Sequence, residues 1–129
     1  MKGMIYMKTF LDDVKVTKKE IGKSSMTSGN AYRVTITYNG KKAGFVFNDN
    51  YHNNATKEDL LVCLYNDAMA WAYHQCFEDF CWEFGYEDIH QYKEARKAYN
   101  ECKKQDQRLC RLFNEEEINA MPELLEKWF

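Results

Sequence analysis

Tyr32-Arg33-Val34-Thr35-Ile36-Thr37-Tyr38-Asn39-Gly40-Lys41-Lys42-Ala43-Gly44-Phe45-Val46-Phe47 is the stretch that decides the fold. Tyr32, Val34, Ile36 and Tyr38 alternate with Arg33, Thr35 and Thr37, the two-residue period of a strand with one apolar face. Asn39-Gly40 supplies two residues that tolerate positive φ, which a tight type I′ turn requires. Lys41 to Phe47 then returns, with Phe45 and Phe47 on one face. The pattern is a β-hairpin.

Upstream, Leu11 to Ile21 places Val14, Val16 and Ile21 between charges and predicts an edge strand with Lys15, Lys18 and Lys19 on its wet side. Edge lysines also discourage strand-to-strand aggregation, so they have a structural use that needs no ligand. Ser24 to Asn30 is Ser/Gly/Asn-rich and reads as a loop. Residues 1–9 read as a loose arm.

Downstream the period changes. Asn48 to Ala55 is polar and opens a loop; Thr56 is placed to cap a helix, with Glu58 and Asp59 in its first turn. The helix from Lys57 to about Gln75 is apolar over a wide arc (Leu60, Leu61, Leu64, Ala68, Trp71, Ala72, with Val62 and Met69 further round), as a central helix covered on more than one side should be. A short helix follows, with Phe77, Phe80, Cys81 and Phe84 on one face and Gly85 where a left-handed cap belongs. Asp88, with Gln91 in the box position, opens a helix running to about Phe113. Its stripe is Ile89, Tyr92, Ala95, Tyr99, Cys102, Leu109, Cys110 and Phe113, with Lys103 and Asp106 inside the arc and spaced to pair. Asn114 caps a last helix with Glu115–Glu117 in its first turn, and Pro122 is expected to break or kink it.

Strands followed by a run of helices predict an α+β fold: a small antiparallel sheet of two to three strands packed against about four helices. The 129 residues fit a single domain, with a sheet part at 10–48 and a helical part at 56–129. Aromatics make up 16% of the chain, which excludes a disordered chain. No apolar run approaches the roughly 20 residues of a membrane span, and Met1–Lys8 lacks the apolar core of a signal peptide. A cytoplasmic protein with no membrane partner is expected. Five cysteines in apolar helical patterns suit reduced core thiols better than a disulfide framework.

No cofactor, metal or catalytic signature is present. His74, Cys63, Cys76, Cys81, Cys102 and Cys110 form no Cys-x-x-Cys or His-x-x-x-His pair. Cys63, Asp67 and His74 share a polar strip on one helix, but eleven residues at about 1.5 Å each part Cys63 from His74 by roughly 16 Å, beyond the reach of a nucleophile and its base. Gly-rich phosphate loops and hydrolase motifs are missing. A non-enzymatic protein is expected, with an enzyme of unrecognised type as a remaining alternative.

Charge is what the pattern offers instead. Residues 1–50 hold nine Lys/Arg against four Asp/Glu, residues 51–92 one against eight, and residues 93–129 are balanced. Such a split argues about partners, not fold. On the short helix, Glu78, Asp79 and Glu83 surround Trp82 on the side away from Phe80; Glu87 and Asp88 follow. Trp82 either packs on a neighbouring element or anchors a partner, as buried Trp does in many binding hot spots. The acidic residues are either ordinary solvated helix positions or a phosphate-like surface for a basic protein groove. The alternative partner is nucleic acid, held by Lys15, Lys18, Lys19, Arg33, Lys41 and Lys42 with Tyr32 and Tyr38 as stacking surfaces; against it stands a solvated sheet face with no recognition motif.

Several runs resemble a group of small proteins from phages and prophages of Firmicutes: residues 32–41, Phe45-Val46-Phe47-Asn48-Asp49, Asp79-Phe80-Cys81-Trp82-Glu83-Phe84-Gly85-Tyr86-Glu87-Asp88, Lys97-Ala98-Tyr99-Asn100-Glu101-Cys102 and Arg111-Leu112-Phe113. The likeness covers about residues 29–126. Where members of the group carry Asp-x-Asp-Ser after the Tyr, this chain has Glu87-Asp88-Ile89-His90. The group brings no catalytic residue with it. What the resemblance implies is context: accessory phage proteins often counter host defence, and some resemble anti-CRISPR proteins in size, acidity and lack of enzyme motifs. The expectation is a phage-borne inhibitor of a host nucleoprotein, a CRISPR (Cas) effector, acting through the acidic surface.

Overall fold

A computed structural model describes residues 8–25, 27–49 and 55–129. It is an α+β protein: three strands, β1 (Lys15–Lys23), β2 (Asn30–Tyr38) and β3 (Lys41–Asn48), precede four helices, α1 (Lys57–Tyr73), α2 (Phe77–Glu83), α3 (Tyr92–Leu112) and α4 (Glu115–Leu124). The strands form one antiparallel sheet in the order β1-β2-β3. By its internal contacts the chain divides into two compact units, with the boundary between Lys57 and Glu58. The expected arm at 1–9 lies outside the described residues up to Met7, as does most of the expected loop after Asn48.

In the first unit the hairpin forms as its alternation requires. Asn39 and Gly40 take φ of 51° and 78°, so the turn has the positive-φ pair that only such residues adopt cheaply. Tyr32, Val34 and Ile36 are buried while Arg33 is exposed. The edge strand begins later than the pattern suggests. Phe10–Asp13 winds into a single 3-10 turn, because Thr9 accepts from the Leu11 N–H and Asp12 accepts from the Thr9 N–H, a reciprocal box that sequesters those residues from the sheet. Asn48 does not open a loop: it pairs with Ala31 as the last residue of β3, and its carboxamide accepts from the Ser24 hydroxyl.

In the second unit α1 buries Leu60, Leu61, Val62, Leu64 and Ala68, more than half its circumference, as a central helix should; Ala72 at its end is exposed. Gly85 at φ 78° ends α2, and the Tyr86 N–H reaches back to the Cys81 carbonyl, the long bond of a Schellman cap. Asp88 and Gln91 form a full capping box, but on a 3-10 turn, Ile89–Gln91, that leads into α3. Asn114 and Glu117 do the same for α4. Pro122 does not break α4. It sits in the last turn, where its ring leaves only the Ile118 carbonyl without an N–H, and the helix ends at Leu124.

An aromatic cluster holds the end of α1, α2 and the first half of α3 together. Phe80, 2% exposed, lies 4.7 Å from the Phe84 ring, 5.4 Å from Tyr99 and 6.2 Å from Tyr86. Trp71 meets Tyr99 edge-on at 5.0 Å, and the Arg96 guanidinium covers Phe77 at 3.7 Å. The Tyr99 hydroxyl donates to the Gln75 carbonyl. Such ring pairs add about 0.5–1.5 kcal/mol each beyond their buried area.

Candidate binding surfaces

The acidic stretch is built by α2 and the turn after it. Glu78, Asp79, Trp82, Glu83, Glu87 and Asp88 are all exposed, and Trp82 leads them at 84%. Trp82 therefore does not pack on a neighbouring element of its own unit. No described residue supplies a hydrogen bond or ion pair to Glu78, Asp79, Glu83 or Glu87. Glu78 and Asp79 are in the first turn of α2, where they also complement the helix dipole. Glu83 ends the helix, where the dipole disfavours a carboxylate, so helix stability does not account for it. Asp88 has a structural task, accepting from the His90 N–H at 3.0 Å.

Three apolar neighbours were read from the sequence as core and are not. Phe84 is 50% exposed, Ile89 73% and Tyr92 46%. Phe84 is the C-cap residue of α2 and still lies 4.7 Å from the Phe80 ring, but the helix ends there and the chain turns at Gly85, so half of the side chain stays uncovered. Ile89 belongs to a 3-10 turn, which turns its side chain off the α3 stripe. Half of the exposed large apolar residues among those described fall within residues 82–92, on the stretch that carries the unpaired carboxylates.

The six basic residues do not form one surface. Strand register sorts them. Lys15 pairs with Thr37, Lys19 with Arg33, and Lys42 with Thr37 from the other side. Directly opposed residues share a face, so Lys15, Lys19, Arg33 and Lys42 line the open face of the sheet, and all four are exposed. Lys18 pairs with Val34 and Lys41 with Tyr38, on the opposite face. Lys18 is half-buried there, donating to the Ala55 carbonyl at 3.2 Å with its ammonium 5.2 Å from the Tyr32 ring. Tyr32, 2% exposed, is a core residue and no stacking platform; Tyr38 shares its face and meets Phe10.

All five thiols are free. Cys76 and Cys110 are exposed, against the expectation of five core thiols: Cys76 precedes α2 as its N-cap residue, and Cys110 lies at the margin of the α3 stripe. Burial, then Asp67 and Asp59, pushes the Cys63 thiol up to about 11; burial, then Asp67 and Glu101, does the same to Cys102. Both are protonated at neutral pH and are weak nucleophiles. His74 sits against the Phe84 ring at 5.8 Å. Among the described residues no three His, Cys, Asp or Glu converge as a metal site would need, and no helix is long and apolar enough to cross a membrane.

What the sequence hid in this region is a buried polar chain. Gln105, 2% exposed, is hydrogen-bonded to Asp67, and its carbonyl accepts from Arg108 at 2.9 Å; Arg108 also donates to Glu101 at 2.9 Å. Burial raises the Asp67 carboxyl, Glu101 raises it further, and the Gln105 hydrogen bond pulls the other way. Lys103 does not pair with Asp106; its ammonium lies 5.5 Å from the Trp71 ring, while Asp106 faces the Cys110 thiol at 3.9 Å. Comparison with protein-family models, curated proteins and solved structures finds no match.

Proposed function

We propose that this chain is a non-enzymatic binding protein whose acidic stretch, centred on Trp82, occupies a basic protein groove built for nucleic acid. In the specific form suggested by the phage resemblance, it inhibits a host CRISPR effector in the bacterial cytoplasm. The observation that supports this reading is Trp82 itself, a large aromatic left 84% exposed among carboxylates with no described partner. Exposed as it is, its apolar surface becomes useful only when something covers it. A buried Trp in an interface commonly contributes about 2 kcal/mol or more, and the surrounding charge speeds encounter and selects a basic partner.

The test is cleavage of target DNA by a panel of purified guide-loaded CRISPR effectors, with increasing amounts of this protein. Inhibition relieved by excess nucleic acid, and slowed in onset by Glu78→Lys, Asp79→Lys and Glu83→Lys together, is the expected result. Full activity of every effector, or inhibition indifferent to the charge reversal, removes the reading.

A further inference from the structure

The open face of the sheet is a second surface of opposite chemistry. On β2 it presents Arg33, Thr35 and Thr37; on β1, Lys15, Thr17 and Lys19; on β3, Lys42, Gly44 and Val46. It carries four cations and no carboxylate, because Glu20, the only acid of the three strands, pairs with Tyr32 on the other face. Lys19 and Arg33 stand directly opposite each other. Like charges so placed destabilise a sheet, and no described residue forms an ion pair with either. A bound anion would remove that repulsion. At about 3.3 Å per residue, the Lys19/Arg33 pair lies roughly 13 Å from the Lys15/Lys42 pair, which flanks Thr37. The distance compares with the ~12 Å width of the B-DNA major groove, whose two walls are phosphate backbones. Threonine hydroxyls fill the floor between the pairs, and hydroxyls join Lys and Arg as common phosphate contacts.

We propose that this face docks on the phosphate backbone of a nucleic-acid duplex without reading its sequence. The proposal does not rest on the acidic surface. A duplex is favoured over a single strand because the face bears no aromatic ring on which bases could stack. It is favoured over an acidic protein or a lipid surface because Val46, with Ile21 at the β1 bulge, is the only large exposed apolar surface on the described strands, too little for a hot spot or an inserted anchor.

The probe is a short mixed-sequence DNA duplex, titrated at several salt concentrations, with the matching single strand and phosphatidylserine vesicles in parallel. Four phosphate contacts give a log–log salt slope of about −3.6, an affinity loss of roughly 150-fold between about 50 and 200 mM salt. Lys19→Gln with Arg33→Gln should halve that slope and leave the melting temperature unchanged or raised, since a repulsion is removed. Lys41→Gln, one residue from Lys42 but on the opposite face, should leave the slope unchanged. The proposal is overturned by no duplex binding at low salt, by a slope that the double variant leaves intact or that Lys41→Gln reduces equally, or by tighter binding to the single strand or the vesicles.

Discussion

Truncating Phe80 and truncating Trp82, both on α2, should have opposite consequences for stability and for binding. Phe80 is 2% exposed and touches three rings, so Phe80→Ala leaves a cavity where they met. A buried Phe replaced by Ala costs about 3–5 kcal/mol. Trp82 is 84% exposed. Of roughly 250 Å² on such a side chain, only about 40 Å² is covered, which at about 25 cal/mol per Å² amounts to ~1 kcal/mol or less. For a protein of this size a kilocalorie shifts the melting temperature by about 3–5 °C. Phe80→Ala should therefore melt on the order of 10–20 °C lower, and Trp82→Ala only a few degrees lower. Thermal melts followed by far-UV circular dichroism compare them directly. Equal losses would mean that Trp82 is core, and the acidic stretch would then have no anchor.

Other consequences follow from the same geometry. Asp67 has a folded pKa above its ordinary value, so the stability tied to its proton is fully present below the carboxylate range of ~3.9 and is lost as pH rises through the folded pKa. Asp67→Asn, which can still accept from Gln105, should melt higher than the parent at neutral pH, with the gain fading near pH ~3; a loss at neutral pH would contradict this. A Cβ on Gly85 meets nothing within 4 Å, so Gly85→Ala should cost only the left-handed strain, about 1 kcal/mol, and Gly85→Asn less. Equal chemical-denaturation midpoints for the two would argue against the cap. With iodoacetamide at neutral pH, exposed Cys76 should alkylate first, ahead of buried Cys81 and of the raised, half-buried Cys63 and Cys102, as read by mass spectrometry of peptides.

The sequence was most legible where a local rule needs no partner. Asn39-Gly40 has few other uses between alternating strands, and the boxes at Asp88/Gln91 and Asn114/Glu117 close over three residues. What escaped depends on long-range register or on where a periodicity stops. On β1 the two-residue period already puts Lys18 on the face of Val14 and Val16, and on β3 it turns Lys41 away from its neighbour Lys42, so the split of the six cations was open to the alternation; which face of β1 meets the core follows from Val16 opposing Ile36. Phe84 lies against the Phe80 ring but stays half-exposed because α2 ends there, and Ile89 carries a helical spacing into a 3-10 turn that does not hold it. Gln105 shares its side of α3 with Leu109 and Leu112, four and seven residues on. That spacing was a usable sign of burial, obscured by the polarity of the residue.

If Trp82 anchors a partner, as proposed, its truncation must weaken binding without unfolding the protein. Titration calorimetry of the wild-type protein and of Trp82→Ala against an effector that the cleavage panel identifies decides the matter. A loss of about 2 kcal/mol, some 30-fold in Kd, with the melting temperature nearly intact, is the predicted result. An unchanged Kd would contradict it.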